Sequence, residues 1–181
     1  SVAGVVFFLN DREASEFYTI LVVGSVRCVI RDRHKDRHPS NGKKCLIISP
    51  GRTEGYLKYK ELSFDLFKLG FNVFLIDHRG QGLSERALVN PHKGYVESFQ
   101  YYVDDLAIFI ARVVNPQCSA KGNSSVDGKS HKPYLLAHSM GGAIAARYMQ
   151  DHPDSIQAAV LSSPMLGFNG GGIPDAITES L

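Results

Sequence analysis

Residues 133–150 constrain the fold of this chain more than any other stretch. Pro133 to Ala137 reads as a short apolar strand and Gly141 to Gln150 as a helix, joined through Ala137-His138-Ser139-Met140-Gly141-Gly142. A strand that becomes a helix within two residues brings the two backbones close together. Small residues are then needed two positions before and two after the residue at the bend. Ala137 and Gly141 meet that need around Ser139. Glycine is usual at the first of these sites, and alanine departs from it by one methyl group. A serine at such a bend projects its hydroxyl above the sheet, the arrangement called a nucleophile elbow. The competing reading is a glycine-rich turn with an incidental serine.

The rest of the chain supplies a sheet for that bend. Phe17 to Val23 and Val26 to Ile30 are β-branched runs split by Gly24-Ser25, a hairpin signal. Residues 31–42 alternate in charge and end in turn residues, which marks a solvated loop. Lys44 to Ser49 and Asn72 to Ile76 are continuous apolar strands of the kind buried on both faces of a parallel sheet. Tyr59 to Leu69 has helical periodicity with Leu62, Leu66 and Leu69 on one side, and Gly70 is its expected stop. Phe99 to Val114 is the clearest helix, with Val103, Leu106, Ala107 and Ile110 on one face and Pro116 expected to end it. Gln117 to Lys132 reads as a polar surface loop, Ala158 to Leu161 as the last strand, and the tail from Gly167 has no clear element. Alternating strands and helices imply an α/β protein: a mostly parallel sheet, helices on both faces, and functional groups on loops at the carboxyl ends of the strands.

Composition narrows the function classes. The 181 residues are 44% hydrophobic and 21% charged, enough for one domain with one sizeable core. A net charge of +2 gives no reason to expect a nucleic-acid partner or strong electrostatic docking on a membrane. Cys28, Cys45 and Cys118 form no CxxC pair and no metal-ligand spacing. Cys45, inside an apolar run, reads as a small buried hydrophobe, and this usage fits a reducing compartment. The apolar run Val5 to Leu9 is far short of the roughly 20 residues that span a bilayer. An interfacial anchor is the weaker reading of it, because the long amphipathic pattern is missing. The chain does not begin with Met, which leaves room for an upstream signal segment.

Ser49-Pro50-Gly51-Arg52 directly follows the first buried strand. In a fold with a nucleophile elbow, the matching loop supplies one backbone N–H of an oxyanion hole, and the residue after the nucleophile supplies the other. Arg52 and Met140 are therefore the candidate donors, each worth roughly 3–4 kcal/mol to a developing oxyanion. Asp77-His78-Arg79-Gly80-Gln81-Gly82-Leu83-Ser84 reads as a tight turn in which Asp77 accepts local backbone bonds, with no direct catalytic role. His138 reads as an orienting or pocket residue, because side chains of neighbours in a strand point in different directions. His152 reads as part of a helix-ending turn. His34 and His38 lack a third ligand and read as loop residues.

These motifs in this order resemble the lysophospholipase L2 and monoacylglycerol lipase branch of the α/β-hydrolases. The resemblance rests on Pro50-Gly51-Arg52-Thr53-Glu54 and the Tyr59 to Gly70 helix, then on Ile76 to Ser84 and Tyr102-Val103-Asp104-Asp105-Leu106. Leu136 to Gly142 and Ser163-Pro164-Met165 complete it. It runs from about Gly24 to Phe168, and residues up to about Glu16 match poorly. It implies an α/β-hydrolase fold, truncated before the cap and the last strands. Residues 1–16 would then be a poorly matched segment, 17–168 the N-terminal part of the hydrolase domain, and 169–181 an irregular tail where a cap would begin.

The resemblance further implies an esterase acting on the acyl ester of a lysophospholipid or monoacylglycerol. Its expected partner is a lipid or small ester substrate, with peripheral contact to the inner membrane of a bacterium from the cytoplasmic side and no nucleic acid. In such enzymes Ser139 would attack the carbonyl and Arg52 and Met140 would hold the oxyanion, with no metal or organic cofactor. The acid and base of the triad follow the serine, beyond the last strand read here. Asp154 and Asp175 lie past Ser139 without following a recognisable strand, and His152 is the one histidine after it. The alternative is a non-catalytic fragment or interaction module lacking that acid and base. Thioesters, peptides and other acyl compounds stay open as substrates.

Overall fold

A computed structural model of the chain describes the backbone of residues 7–10, 17–23 and 26–31, together with residues 44–118 and 132–167. Seven strands form one sheet: β1 (Phe7–Asn10), β2 (Phe17–Val23), β3 (Val26–Arg31), β4 (Lys44–Ser49), β5 (Phe71–Asp77), β6 (Tyr134–His138) and β7 (Ala158–Ser162). Their order is β1-β2-β3-β5-β4-β6-β7. The first three pair antiparallel, and β3 joins β5 antiparallel. From there the sheet is parallel: β4 lies between β5 and β6, and β7 pairs along β6. Part of the apolar run near the N-terminus is thus β1, a sheet strand rather than an interfacial anchor.

The continuous apolar runs are explained by burial on both sides. Successive residues of a strand face opposite ways. Cys45, Ile47, Phe74, Ile76, Leu135 and Ala137 pack on one face against α2 (Gln100–Phe109), the turn that follows it and α4 (Met140–Asp151). Leu46, Ile48, Val73 and Leu75 pack on the other face with Tyr56 and Tyr59. That second face is covered by a 3-10 turn, Tyr56–Tyr59, running into α1 (Lys60–Lys68). Gly70, at φ +92°, ends α1 as expected.

Three expectations need correction. The buried stripe of α1 is not that of its leucines: Leu62 and Leu69 are exposed, while Ser63 is buried and Leu66 packs inward. The 3-10 turn sets this phase. Tyr59 is buried at its end, so the positions one and two helical turns later face the sheet. Ser63 is small enough for close approach and donates its hydroxyl to the Tyr59 carbonyl at 2.6 Å.

Pro116 does not end the second helix. After Phe109 the chain widens into a π turn, Ile110–Val114, and then forms α3 (Asn115–Cys118) with Pro116 inside it. A proline clashes with a regular i−4 ladder, and a π turn shifts that ladder by one residue ahead of it.

Cys45 is not a lone hydrophobe. It forms a disulfide with Cys118, their Cα atoms 6.1 Å apart and both side chains buried. The start of β4 and the end of α3 meet under the sheet, a proximity invisible in sequence spacing. The pairing removes the ground for reading these cysteines as thiols of a reducing compartment. Residues 119–131, His34, His38 and Asp175 lie outside the described residues. No helix among the described residues is long and apolar enough to cross a membrane.

Candidate active site

The chain runs from β4 to β5 on one side and crosses back over β4 to reach β6. The carboxyl ends of β4 and β6 therefore bound the switch point of the parallel sheet, where crevices form. The two candidate segments meet there. A Cβ built on Gly51, just past β4, would stand 3.1 Å from the Ser139 Cβ, just past β6.

Ser139 has φ 50° and ψ −119° between β6 and α4. Positive φ is unfavourable for a residue with a side chain and persists only where the surroundings impose it. They do so here on every side. The Ser139 N–H donates to the Ser162 carbonyl at 3.0 Å, and its carbonyl accepts from Gly142, Ala143 and Met165. Gly141 has no room for a side chain, because a Cβ there would lie 2.3 Å from the Ser49 carbonyl oxygen and 2.4 Å from that of Pro50. Strand and helix are in backbone contact at this point, as the small-residue pattern requires.

Arg52 lies on the exposed loop after β4, and Met140 is buried as the first residue of α4. Both N–H groups are without a hydrogen-bond partner among the described residues. Their neighbours are not. The Gly51 N–H donates to Glu54 Oε2 at 2.7 Å, and the Thr53 N–H donates to Gln81 Oε1. Two side-chain clamps therefore hold the loop on either side of Arg52 and leave its own donor free. Thr53, a β-branched residue, sits at φ 61°, so the loop is held in a strained conformation.

Glu54 is the residue that sequence reading left without a role. Its carboxylate accepts from the Gly51 N–H, from the Tyr59 hydroxyl at 2.6 Å and from Lys58. Burial raises its pKa, but the hydrogen bonds from Lys58, Tyr59 and Gly51 outweigh this and hold it below the usual carboxylate value. The available signal was its place three residues after Gly51, the reach of a side chain back to a loop N–H.

Asp77 and His78 make contacts that hold neighbouring segments together. Asp77 accepts from the Tyr56 N–H at 2.7 Å with one oxygen and from the Leu83 N–H at 2.9 Å with the other. It thereby ties the 3-10 turn before α1 to the loop after β5. His78 is fully buried, its Nε2 3.0 Å from Ser49 Oγ, and Ser49 Oγ donates to the Gly141 carbonyl at 3.4 Å. With that hydroxyl proton on Gly141, Nε2 carries the imidazole proton and donates to Ser49. Nδ1 is then a bare acceptor without a partner among the described residues, a lesser cost than an orphaned donor. Burial pushes the His78 pKa down to about 4.

His138 is half-buried. Its Nδ1 donates to the Ser162 carbonyl at 3.1 Å, and its Nε2 lies 3.7 Å from Glu54 Oε1. It braces β7 and the Glu54 loop. His152 caps α4 beside Tyr148, with ring centroids 4.7 Å apart, and Asp154 is exposed, 3.6 Å from Lys132. No histidine hydrogen-bonds to Ser139 among the described residues, and none of their His, Cys, Asp and Glu side chains cluster as a metal site.

A strained serine between a parallel strand and a helix, facing a clamped loop with a free N–H, is the architecture of α/β-hydrolases. The chain belongs to the hydrolase family described as serine aminopeptidase, S33, whose model matches residues 40–179. It is 44% identical over 162 residues to lysophospholipase L2 of Escherichia coli K12, covering 88% of this chain and 42% of that protein. It is 33% identical over 129 residues to monoglyceride lipase of Rattus norvegicus, covering 71% of this chain and 37% of that protein. Among solved structures, Cfl2 of Burkholderia cenocepacia superposes with a TM-score of 0.61 at 20% identity, over 94% of this chain and 48% of that one. The fold and the α/β-hydrolase branch expected from sequence are those found. The chain spans less than half the length of the curated relatives it matches.

Proposed function

We propose that this chain carries the nucleophile and oxyanion hole of a serine esterase that cleaves the acyl ester of lysophospholipids or monoacylglycerols. The observation that carries this reading is the backbone of Ser139, held at φ 50° at the mouth of the parallel sheet beside Gly51. Ser139 Oγ attacks the ester carbonyl. The free N–H groups of Arg52 and Met140 receive the oxyanion of the tetrahedral intermediate. Collapse of that intermediate expels the alcohol and leaves an acyl-serine, which water then hydrolyses. No described histidine hydrogen-bonds to Ser139, and the chain covers 42% of the Escherichia coli relative, so this reading takes the general base and its acid from outside the described residues. The lipid class is supported by the names of the lysophospholipase and monoglyceride lipase relatives. Peripheral contact with a bacterial inner membrane belongs to the same reading.

One feature favours a non-catalytic role for residues 1–181 by themselves. β7 is an edge strand with Val160 63% exposed, followed by exposed Met165 and Leu166. An open apolar edge promotes association with another chain. Release of fatty acid from 1-acyl lysophospholipid and 1-monoacylglycerol tests both readings. The protein extended past Leu181 is expected to turn over at least one of them, and residues 1–181 alone neither. No turnover of either lipid by the extended protein would reject the proposed activity.

A further inference from the structure

The guanidinium of Arg52 has no ion-pair partner among the described residues, although side chains clamp the loop on either side of it. Two other cations near this loop are matched. Arg79 makes a two-pronged pair with Asp105 at 2.6 and 2.7 Å, and Lys58 pairs with Glu54. Glu54, the carboxylate closest in sequence to Arg52, is saturated by Gly51, Lys58 and Tyr59. The charge of Arg52 is felt by the Tyr102 hydroxyl, where it acts against the larger effect of burial. A positive charge thus stands on the loop after β4, exposed and without an ion-pair partner among the described residues.

Resting on the esterase reading above, we propose that the Arg52 side chain binds the phosphodiester of a lysophospholipid while its own backbone N–H binds the ester oxygen. In arginine, the backbone nitrogen and the guanidinium carbon are separated by as many bonds as the carbonyl carbon and the phosphorus of a 1-acyl-glycerophospho ester. One residue can therefore hold both ends of the glycerol unit. A guanidinium offers two parallel N–H donors to a phosphate, a geometry a lysine lacks. The clamps at Gly51 and Thr53 and the positive φ of Thr53 fix the Arg52 backbone in advance. The side chain starts from a fixed point and loses less freedom on binding. A neutral monoacylglycerol gains nothing from this contact, so Arg52 sets the preference between the two lipid classes.

The test uses the full-length protein carrying this chain. It compares 1-acyl-glycerophosphoethanolamine with 1-monoacylglycerol of the same acyl chain in a neutral detergent. The readout is the ratio of kcat/KM for the phosphodiester to that for the neutral lipid, which cancels any general damage to the oxyanion loop. In Arg52→Gln this ratio is expected to fall at least about tenfold, mainly through KM, as for loss of a charged hydrogen bond. Arg52→Lys should recover part of it. Arg147→Gln, a remote cation on α4, should leave it unchanged. An unchanged ratio in Arg52→Gln overturns the inference, as does an equal fall in Arg147→Gln, which would reveal bulk charge attraction. Parent protein that hydrolyses neither lipid would instead remove the esterase reading itself.

Discussion

Gly51 and Ser139, far apart in sequence, touch across the carboxyl ends of β4 and β6, and a methyl group on Gly51 would stand 3.1 Å from the Ser139 Cβ. The contact sets the distance between the candidate nucleophile and the loop that would receive its oxyanion. Gly51→Ala should press on Glu54 Oε2, the far end of a side chain that can give by tenths of an ångström, and on Ser139 Cβ at a contact tight by only tenths of an ångström. Gly141→Ala meets backbone carbonyls that cannot give. Gly141→Ala is therefore expected to lose about 3 kcal/mol of stability. Gly51→Ala should lose less than about 1 kcal/mol yet slow ester turnover at least about tenfold. Urea unfolding and an ester assay on both variants check the ordering, and the reverse order would contradict it.

Glu54 acts on the reaction through Gly51, as a positioning residue. Glu54→Gln keeps the shape and removes the charge that gathers Gly51, Tyr59 and Lys58. Turnover should fall between about ten- and a hundredfold through kcat, as expected when a reacting group is misplaced by about an ångström. The folded carboxyl titrates below its ordinary value of 4.5. Its stabilising effect is thus present above that value and disappears as pH falls through the folded pKa. Parent and variant should converge in stability at strongly acidic pH, and a constant gap at every pH would argue against this role.

His78 predicts acid sensitivity in a definite window. Above pH 6.5 the imidazole is neutral in both folded and unfolded chains. Between 6.5 and about 4 the unfolded chain takes up a proton that the buried imidazole refuses, so stability falls as pH falls. The window corresponds to roughly 3 kcal/mol. His78→Asn should lose correspondingly less stability between pH 7.5 and 4.5 in urea titrations. Equal losses in parent and variant would rule out this origin.

The Cys45–Cys118 bond closes a span of 73 residues. On the chain-entropy argument a link of that reach stabilises by about 4 kcal/mol. Thiol labelling in denaturant with peptide mass analysis should find Cys45 and Cys118 unreactive before reduction and reactive after it. Reduction should lower the unfolding midpoint accordingly. Labelling of Cys45 and Cys118 in the untreated protein would contradict the pairing.

The elbow, the parallel strands and the helix after Ser139 were legible because each is a local pattern: small residues around a bend, apolar runs, helical periodicity. What escaped depends on contacts between distant segments. The phase of α1 follows from Tyr59 against the sheet, not from its leucines. The π turn before Pro116 and the meeting of Cys45 with Cys118 are set by how the second helix packs beneath β4. Glu54 lies within the Pro50 to Glu54 motif, but its role depends on its carboxylate meeting Gly51, Tyr59 and Lys58 together.

The most direct measurement is covalent labelling of the full-length protein with a fluorophosphonate, followed by peptide mass analysis. A serine nucleophile at the bend predicts a phosphonyl adduct on the peptide containing Ser139, absent from Ser139→Ala. Undiminished labelling of Ser139→Ala, or an adduct on a different serine, would contradict it.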